Sequence, residues 1–189
     1  MPEGVPSWVM NRHRFRPALA VTLLLALLLT VSNAFADGWI LTGVSMRTKS
    51  VGPFTAKVYS IRHDMKEKPA TKSKQAVIEA NVDKKFTWQM LRDVDSSKIQ
   101  NALKDAFAQN GFTDAGRIGQ FVAAFNKEEV KEKSAVVISY SAEKKMTTIW
   151  VQGAGSATIP GEDFMKGVWS IWFGKIDQPS MGDQLIQNL

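Results

Sequence analysis

The sequence predicts an α+β fold in which helices cover one face of a large, mainly antiparallel sheet. Strand-like patterns dominate the first part of the chain, two helical patterns occupy the middle, and a hairpin pattern precedes a final long helix. This order is typical of α+β proteins. The last helix, within Ile159–Gly174, places seven large apolar side chains in ten residues. Because a helix that is apolar on most of its circumference must be covered on nearly all sides, we expect it in the core.

The N-terminal segment has the pattern of a cleavable secretory signal peptide covering residues 1–36. Three arginines lie between positions 12 and 16, Ala18–Val31 is a run of apolar residues and Thr, and Ala34–Ala36 has the small-x-small pattern of a cleavage site. The apolar run is short for a transmembrane helix, which needs about 20 residues. An uncleaved inner-membrane anchor is the alternative. The pattern is typical of bacteria, so we expect a periplasmic or secreted protein whose residues 37–189 form one domain.

Composition excludes several classes of function. The chain has a net charge of +6, of which the signal segment carries two, and it has no Arg- or Lys-rich block with interleaved aromatic residues. We therefore do not expect nucleic acid as a partner, and the positive net charge is compatible with a weak contact with an anionic membrane surface. No cysteine is present, and His63 is the only histidine outside the signal segment. We therefore expect neither thiol catalysis nor a metal or cofactor site, and we interpret His63 as solvated or structural.

The first half of the domain begins with two predicted strands. Trp39–Ser50 is rich in β-formers, Gly52–Pro53 marks a turn, and Phe54–Ile61 reads as the returning strand. A polar, Lys-rich connector at Met65–Lys74 and a short helix at Gln75–Ala80 follow.

A third strand and two amphipathic helices occupy the middle of the domain. Lys85–Leu91 alternates apolar and polar side chains, which is typical of a strand with one buried face. The Asp and Ser residues of Asp93–Ser97 favour a helix start, and Gly111 favours its end. The apolar residues between them, at helical spacing, are Ile99, Ala102, Leu103, Ala106 and Phe107. A second helix is predicted at Arg117–Phe125.

The last third returns to strands before the apolar helix. Ala135–Ser141 and Met146–Gln152 flank a polar turn, so they predict a hairpin. Ser156–Ile159 predicts one more short strand. Met181–Leu189 predicts a final amphipathic turn or two.

Arg47 and Tyr59 are the first candidate site residues. If the chain reverses at Gly52–Pro53, they face one another across a hairpin. A guanidinium fork and a phenol directed into an apolar cavity suit the oxygen atoms of a carboxylate or an enolate. The alternative is a strand arginine that pairs with an acidic neighbour.

Several short motifs resemble those of bacterial chalcone isomerase-like proteins. The matching segments are Gly43-x-x-x-Arg47, Lys57-Val58-Tyr59, Met90-Leu91-Arg92-Asp93-Val94-Asp95, Ile159-x-Gly161-x-Asp163-Phe164 and Ser170-Ile171-Trp172-Phe173-Gly174. The resemblance covers nearly all of the predicted domain. It implies an open-faced β-sandwich, with a large antiparallel sheet, a layer of helices on one face and a ligand cleft between them.

The resemblance also implies where a ligand would bind. Plant members of the family close a flavanone ring by adding a phenolate to an enone, and they use an Arg, a Thr, a Tyr, a Lys and an Asn. Arg47 and Lys98 match two of these positions, whereas the other three correspond to Tyr59, Asp95 and Ala102. An Arg with a Tyr is similar to the non-catalytic, fatty-acid-binding members of the fold. Arg47, Tyr59 and Lys98 are therefore the predicted ligand-binding residues.

Three functions follow as hypotheses. The first is an exported, non-catalytic protein that binds a hydrophobic carboxylate such as a fatty acid. The second is an intramolecular lyase or isomerase acting on a chalcone-like enone, with Arg47 stabilising the oxyanion. The third is an accessory envelope protein whose cleft is filled by side chains and whose Arg47 is paired with an internal carboxylate. The sequence leaves the oligomeric state open.

Overall fold

A six-stranded antiparallel sheet forms the centre of the structure, which is a computed structural model and describes residues 38–189. The predicted signal peptide and its cleavage site lie outside the described residues. The strands are β1 (Ile40–Val51), β2 (Phe54–Met65), β3 (Lys84–Met90), β4 (Val94–Asp95), β5 (Glu129–Val130), β6 (Ala135–Ser141), β7 (Met146–Val151) and β8 (Ser156–Pro160). The helices are α1 (Lys74–Glu79), α2 (Ser96–Gln109), α3 (Ala115–Val122), α4 (Glu162–Phe173) and α5 (Ser180–Leu185).

The main sheet has the order β1-β2-β3-β6-β7-β8, and every pair in it is antiparallel. The chain leaves this sheet after β2 to form α1 before β3, and again after β3 to form α2, α3 and the small β4–β5 sheet before it returns at β6. The α+β class and the open-faced antiparallel sheet predicted from the sequence are confirmed. Among the described residues, no helix is long and apolar enough to cross a membrane.

The two faces of the sheet have different surroundings. On one face, Phe86 and Trp88 of β3 are buried beneath α4, and the ring of Phe86 lies 4.6 Å from that of Trp172. On the other face, Val44 and Trp150 remain 58% and 45% exposed. The alternation predicted for β3 therefore decides which side of the sheet meets the helices.

Helix α4 is the core helix that the sequence predicts. It begins after Gly161, whose φ of 114° is in a region that favours glycine. Eight of its twelve residues are buried. Glu162 and Lys166, one turn apart on its more polar side, form an ion pair at 3.3 Å. Burial of two Trp and two Phe side chains on this helix supplies a large part of the apolar core.

The structure corrects several boundaries. The β2 strand continues four residues beyond the predicted end at Ile61, so His63 lies inside a strand and not at its end. The extension is possible because the side chains on the two faces of the strand have different surroundings. Arg62 pairs with the buried Asp64 on the open side at 2.6 Å, and His63 enters the core. The β4–β5 pair was not predicted, because each of its strands has only two residues.

Candidate ligand-binding site

A cavity of about 400 Å³ lies between the sheet and the first half of α2; we call it the main cavity. Its volume is within the usual range for small-molecule sites. Its lining is mostly apolar and includes Val58, Trp88, Met90, Val94, Ile99, Ala102 and Leu103. Its polar side chains are Arg47, Lys49, Tyr59 and Lys98. The three residues that the sequence predicts as ligand-binding, Arg47, Tyr59 and Lys98, thus line one cavity.

Strand pairing brings Arg47 and Tyr59 together. They are direct partners in the antiparallel register of β1 and β2, which a chain reversal near Gly52–Pro53 allows. Immediately beyond them Thr48 pairs with Lys57, so Val58 is an extra residue on β2 and forms a β-bulge. Bulges change the direction of side chains. Here Val58 joins its neighbour Tyr59 in the cavity lining instead of alternating to the opposite face.

Arg47 already contacts a carboxylate. Its two terminal nitrogens donate to the two oxygens of Asp177 at 2.6 and 2.9 Å, the bidentate geometry that guanidinium and carboxylate groups favour. The Arg47 side chain is 19% exposed, whereas that of Asp177 is 58% exposed. Burial lowers the pKa of Arg47, but the hydrogen bond to Asp177 and the nearby charges outweigh it, so the net shift is upward. Arg47 therefore has the acidic partner that the alternative interpretation expects, and it also lines the main cavity.

Tyr59 is fixed by two tryptophans. Its ring stacks on Trp88 with centroids 4.6 Å apart and planes 7° apart, and its oxygen accepts a hydrogen bond from Nε1 of Trp172 at 3.2 Å. Burial raises the pKa of the phenol, which is therefore protonated at neutral pH. Within the described part of the chain, no acceptor for the hydroxyl hydrogen lies at hydrogen-bond distance. Tyr59 thus has a donor to offer to a ligand oxygen.

Helix α2 supplies the opposite wall of the main cavity. Lys98 lies in its first turn, exposed at the edge of the cavity, and Ala102 follows one turn later without a polar group. Asp95, which the family pattern places among the site residues, does not line the main cavity. Its carboxylate instead caps α2 by accepting from the backbone N–H of Ser97 at 2.7 Å, and the hydrogen bonds from Ser97 lower its pKa.

A second cavity of about 280 Å³, the side cavity, adjoins the main cavity. Both are lined by Arg47, Lys49, Tyr59 and Ala102, and the side cavity also reaches Asp177. The Arg47–Asp177 ion pair is therefore at the junction of an apolar space and a more polar one. Within residues 38–189, no group of three or more His, Asp or Glu side chains could hold a metal ion.

His63 belongs to a different part of the core. Its Nδ1 lies 2.6 Å from the Thr42 hydroxyl, and its Nε2 accepts from Nε1 of Trp169 at 2.9 Å. The Thr42 hydroxyl also contacts the backbone oxygen of Leu185 at 2.7 Å. We call Thr42, His63 and Trp169 the histidine cluster. Because the cluster is fully buried, the structural interpretation of His63 is correct and the solvated one is wrong.

Sequence reasoning missed Asp177 and Val58. Asp177 follows α4 in a short polar segment that has no motif, and it is 130 residues away from Arg47. Strict alternation along Phe54–Ile61 places Val58 and Tyr59 on opposite faces, and it does not reveal a bulge. The only available signal for Asp177 was that a half-buried arginine needs an anionic partner.

Comparison with known proteins places the fold. The profile of the chalcone isomerase-like family matches residues 32–183. The chain belongs to this family. Among solved structures it is similar to a fatty-acid binding protein of Arabidopsis thaliana, with a TM-score of 0.64, 15% identity, and coverage of 82% of this chain and 90% of that one. At this identity the likeness shows the fold alone. No curated protein sequence matches the chain.

Proposed function

We propose that this chalcone isomerase-like protein is an exported, non-catalytic protein that binds a hydrophobic carboxylate, such as a fatty acid, in the main cavity. The observation that carries the proposal is the position of Arg47 and Tyr59, paired across two strands at one edge of an apolar cavity. The apolar lining suits a hydrocarbon tail, whose burial is favourable by about 25 cal/mol per Å². Arg47 and Tyr59 supply donors for two oxygens of a carboxylate.

The contact between Arg47 and Asp177 supports this assignment. It places a carboxylate on both terminal nitrogens of Arg47, so the guanidinium has the orientation and the space to hold such a group. Lys49 and Lys98, both exposed at the cavity edge, add positive charge that favours an anionic headgroup. The fatty-acid binding protein of similar fold supports the same ligand class by analogy.

Two alternatives make different predictions. An intramolecular lyase would need Arg47 to stabilise an oxyanion while other polar groups hold a phenolate, yet Ala102 supplies none and Asp95 caps a helix. A turnover assay with chalcones tests it. An accessory protein with a filled cleft would agree with the Arg47–Asp177 pair, but the main cavity is not filled by side chains.

The proposed location in the bacterial envelope rests on the predicted signal peptide. A weak contact with anionic membrane surfaces is part of the proposal. The tip of the β1–β2 hairpin presents Phe54, which is 76% exposed, between the exposed Lys49 and Lys57. An apolar side chain flanked by cations favours the surface of an anionic bilayer. Export is tested by the N-terminal sequence of the protein recovered from the periplasm.

Ligand analysis and titration test the binding proposal. Lipid extracted from the purified protein is identified by mass spectrometry, and dodecanoate is titrated into delipidated protein by calorimetry. We expect Arg47→Gln to weaken dodecanoate binding about tenfold or more, because a hydrogen bond to a charged group contributes roughly 1.5–3 kcal/mol. Arg92→Gln is the matched control, since Arg92 is exposed and lies outside both cavity linings. Equal affinity of the wild type and a folded Arg47→Gln variant would exclude the proposed site.

A further inference from the structure

We infer that Asp177 competes with the ligand for Arg47, so that a ligand carboxylate binds by exchange with an internal one. The inference rests on the proposed function and concerns how the same site is regulated. The exposures of the two partners show which of them is free to leave. Arg47 is 19% exposed and belongs to a strand, whereas Asp177 is 58% exposed and follows a helix. Exchange therefore requires the aspartate to turn towards solvent while the arginine stays in place.

The backbone around Asp177 is held on both sides. The side-chain oxygen of Asn110 accepts from the backbone N–H of Lys175 at 2.7 Å, and its amide nitrogen donates to the backbone oxygen of Lys175 at 3.0 Å. Gln178 binds the edge strand β1, where its amide accepts from the N–H of Thr48 at 3.1 Å and donates to the oxygen of Met46 at 2.8 Å. The segment that carries Asp177 is thus fixed at both ends, and exchange needs a side-chain rotation rather than loop opening.

The nearby charges reduce the free-energy cost of such a rotation. The hydrogen bond from Arg47 lowers the pKa of Asp177, and the charges of Arg47 and Lys49 contribute less, so the aspartate remains ionised at neutral pH. Lys49 lines both cavities. A displaced Asp177 carboxylate keeps Lys49 as a neighbouring cation and gains water. The ligand carboxylate takes over the two nitrogens of Arg47, so the number of charge-assisted hydrogen bonds is the same before and after exchange.

Competition of this kind reduces affinity for carboxylates selectively. The apparent dissociation constant equals the intrinsic constant divided by the fraction of molecules in which Arg47 is free of Asp177. A neutral amphiphile of the same length does not need the Arg47 fork, so Asp177 does not affect its binding. Removing the charge of Asp177 should therefore increase carboxylate affinity by about two- to fivefold, the range expected for an ion pair with one exposed partner.

The test compares Asp177→Asn with Asp105→Asn, measured by calorimetry with dodecanoate and dodecanol at physiological ionic strength. Asp105 also lines the side cavity, so its substitution removes the same charge from the same region without breaking the pair with Arg47. We expect Asp177→Asn to tighten dodecanoate binding two- to fivefold, to leave dodecanol unchanged, and to exceed the effect of Asp105→Asn. The same increase is expected for Asp177→Ala.

The outcomes separate this inference from the proposed function. If wild-type protein binds dodecanoate through Arg47 but Asp177→Asn binds it no more tightly than Asp105→Asn does, exchange is wrong and the binding function stands. If neither the wild type nor Asp177→Asn binds dodecanoate, the proposed function is wrong and exchange is excluded with it. Tighter binding of dodecanol together with dodecanoate would also contradict exchange, because it would indicate a general opening of the cavity.

Discussion

Two side-chain hydrogen bonds join strand β2 to helix α4, and the two contacts have different surroundings. In each, a tryptophan N–H on α4 donates to a side chain on β2: Trp169 to His63 at 2.9 Å, and Trp172 to Tyr59 at 3.2 Å. The two tryptophans are three residues apart on the helix, and their partners are four residues apart on the same face of the strand. The first contact is sealed inside the core, and the second borders both cavities.

At the sealed contact, the polar atoms form a complete chain. Because Nε2 of His63 accepts from Trp169, neutral His63 carries its hydrogen on Nδ1 and donates it to Thr42, whose hydroxyl donates in turn to Leu185. Thr42 reaches this position because it is an extra residue on β1, at a bulge. Helix α5 closes the region so tightly that a Cβ on Gly43 would lie 2.1 Å from the oxygen of Gln184.

The contact between Trp172 and Tyr59 is the open contact. A similar arrangement there leaves the hydroxyl hydrogen of Tyr59 without an acceptor in the described part of the chain. Val58 forms a bulge here as well, but it adds an apolar wall in place of a hydrogen-bonding partner. Helix α2 faces Tyr59 and Arg47 across the main cavity, and Arg47 is covered by the exposed Asp177 and the segment that carries it. The difference teaches that the covering element, not the strand–helix contact itself, decides whether such a contact is sealed in the core or borders a cavity.

The largest effect is expected for the free energy of unfolding, which compares the two contacts directly. We expect Trp169→Ala to decrease the free energy of unfolding by about 3–5 kcal/mol, because it creates a closed void and leaves Nε2 of His63 without its donor. Trp172→Ala should cost less, since its void joins the side cavity and water can reach Tyr59. Urea denaturation of both variants measures the difference. Equal losses would mean that the two contacts are equally sealed.

Much of the fold could be predicted from the sequence, because its signals are local. Alternation identified β3 and β7, Val and Ile content identified β6, and the density of apolar residues identified α4. The proximity of Arg47 and Tyr59 followed from the turn between them, but their direct pairing depends on the bulge at Val58, which shifts the register by one residue. The cavity did not follow, since the partly buried Ile99 has the same helical spacing as the core residue Leu103, and the spacing does not show that both line a cavity. Their environment depends on how far α2 stands from the sheet, which no local pattern encodes.

An effect of intermediate size is expected for the pH dependence of the free energy of unfolding, through His63 at the sealed contact. Burial, with a smaller contribution from the charge of Lys84, holds the pKa of His63 well below 6.5. Below pH 6.5 the unfolded chain therefore binds a proton that the folded cluster does not, and the free energy of unfolding falls by up to about 1.4 kcal/mol per pH unit. We expect a smaller slope between pH 6.5 and 5 for His63→Gln. Carboxylates contribute equally to both proteins, so equal slopes in urea titrations would contradict a neutral, buried His63.

The smallest effect on stability is expected at the open contact. Ala102 is exposed and lines both cavities, so Ala102→Trp places an indole in space that the proposed ligand needs. We expect dodecanoate affinity to fall at least about tenfold, equivalent to roughly 1.4 kcal/mol. The free energy of unfolding should change by less than about 0.5 kcal/mol, as for most surface substitutions.

Ala108→Trp is the control for this prediction, because Ala108 is exposed on the same helix and lines neither cavity. Calorimetry with dodecanoate and urea denaturation of both variants separate binding from folding. If Ala102→Trp destabilised the protein by several kcal/mol, the main cavity would be part of a packed core, and the contrast with the histidine cluster would be lost. If it left affinity unchanged, a bound ligand would have to lie elsewhere. A loss of affinity at unchanged stability would establish that this space is kept open for a ligand and that folding does not depend on filling it.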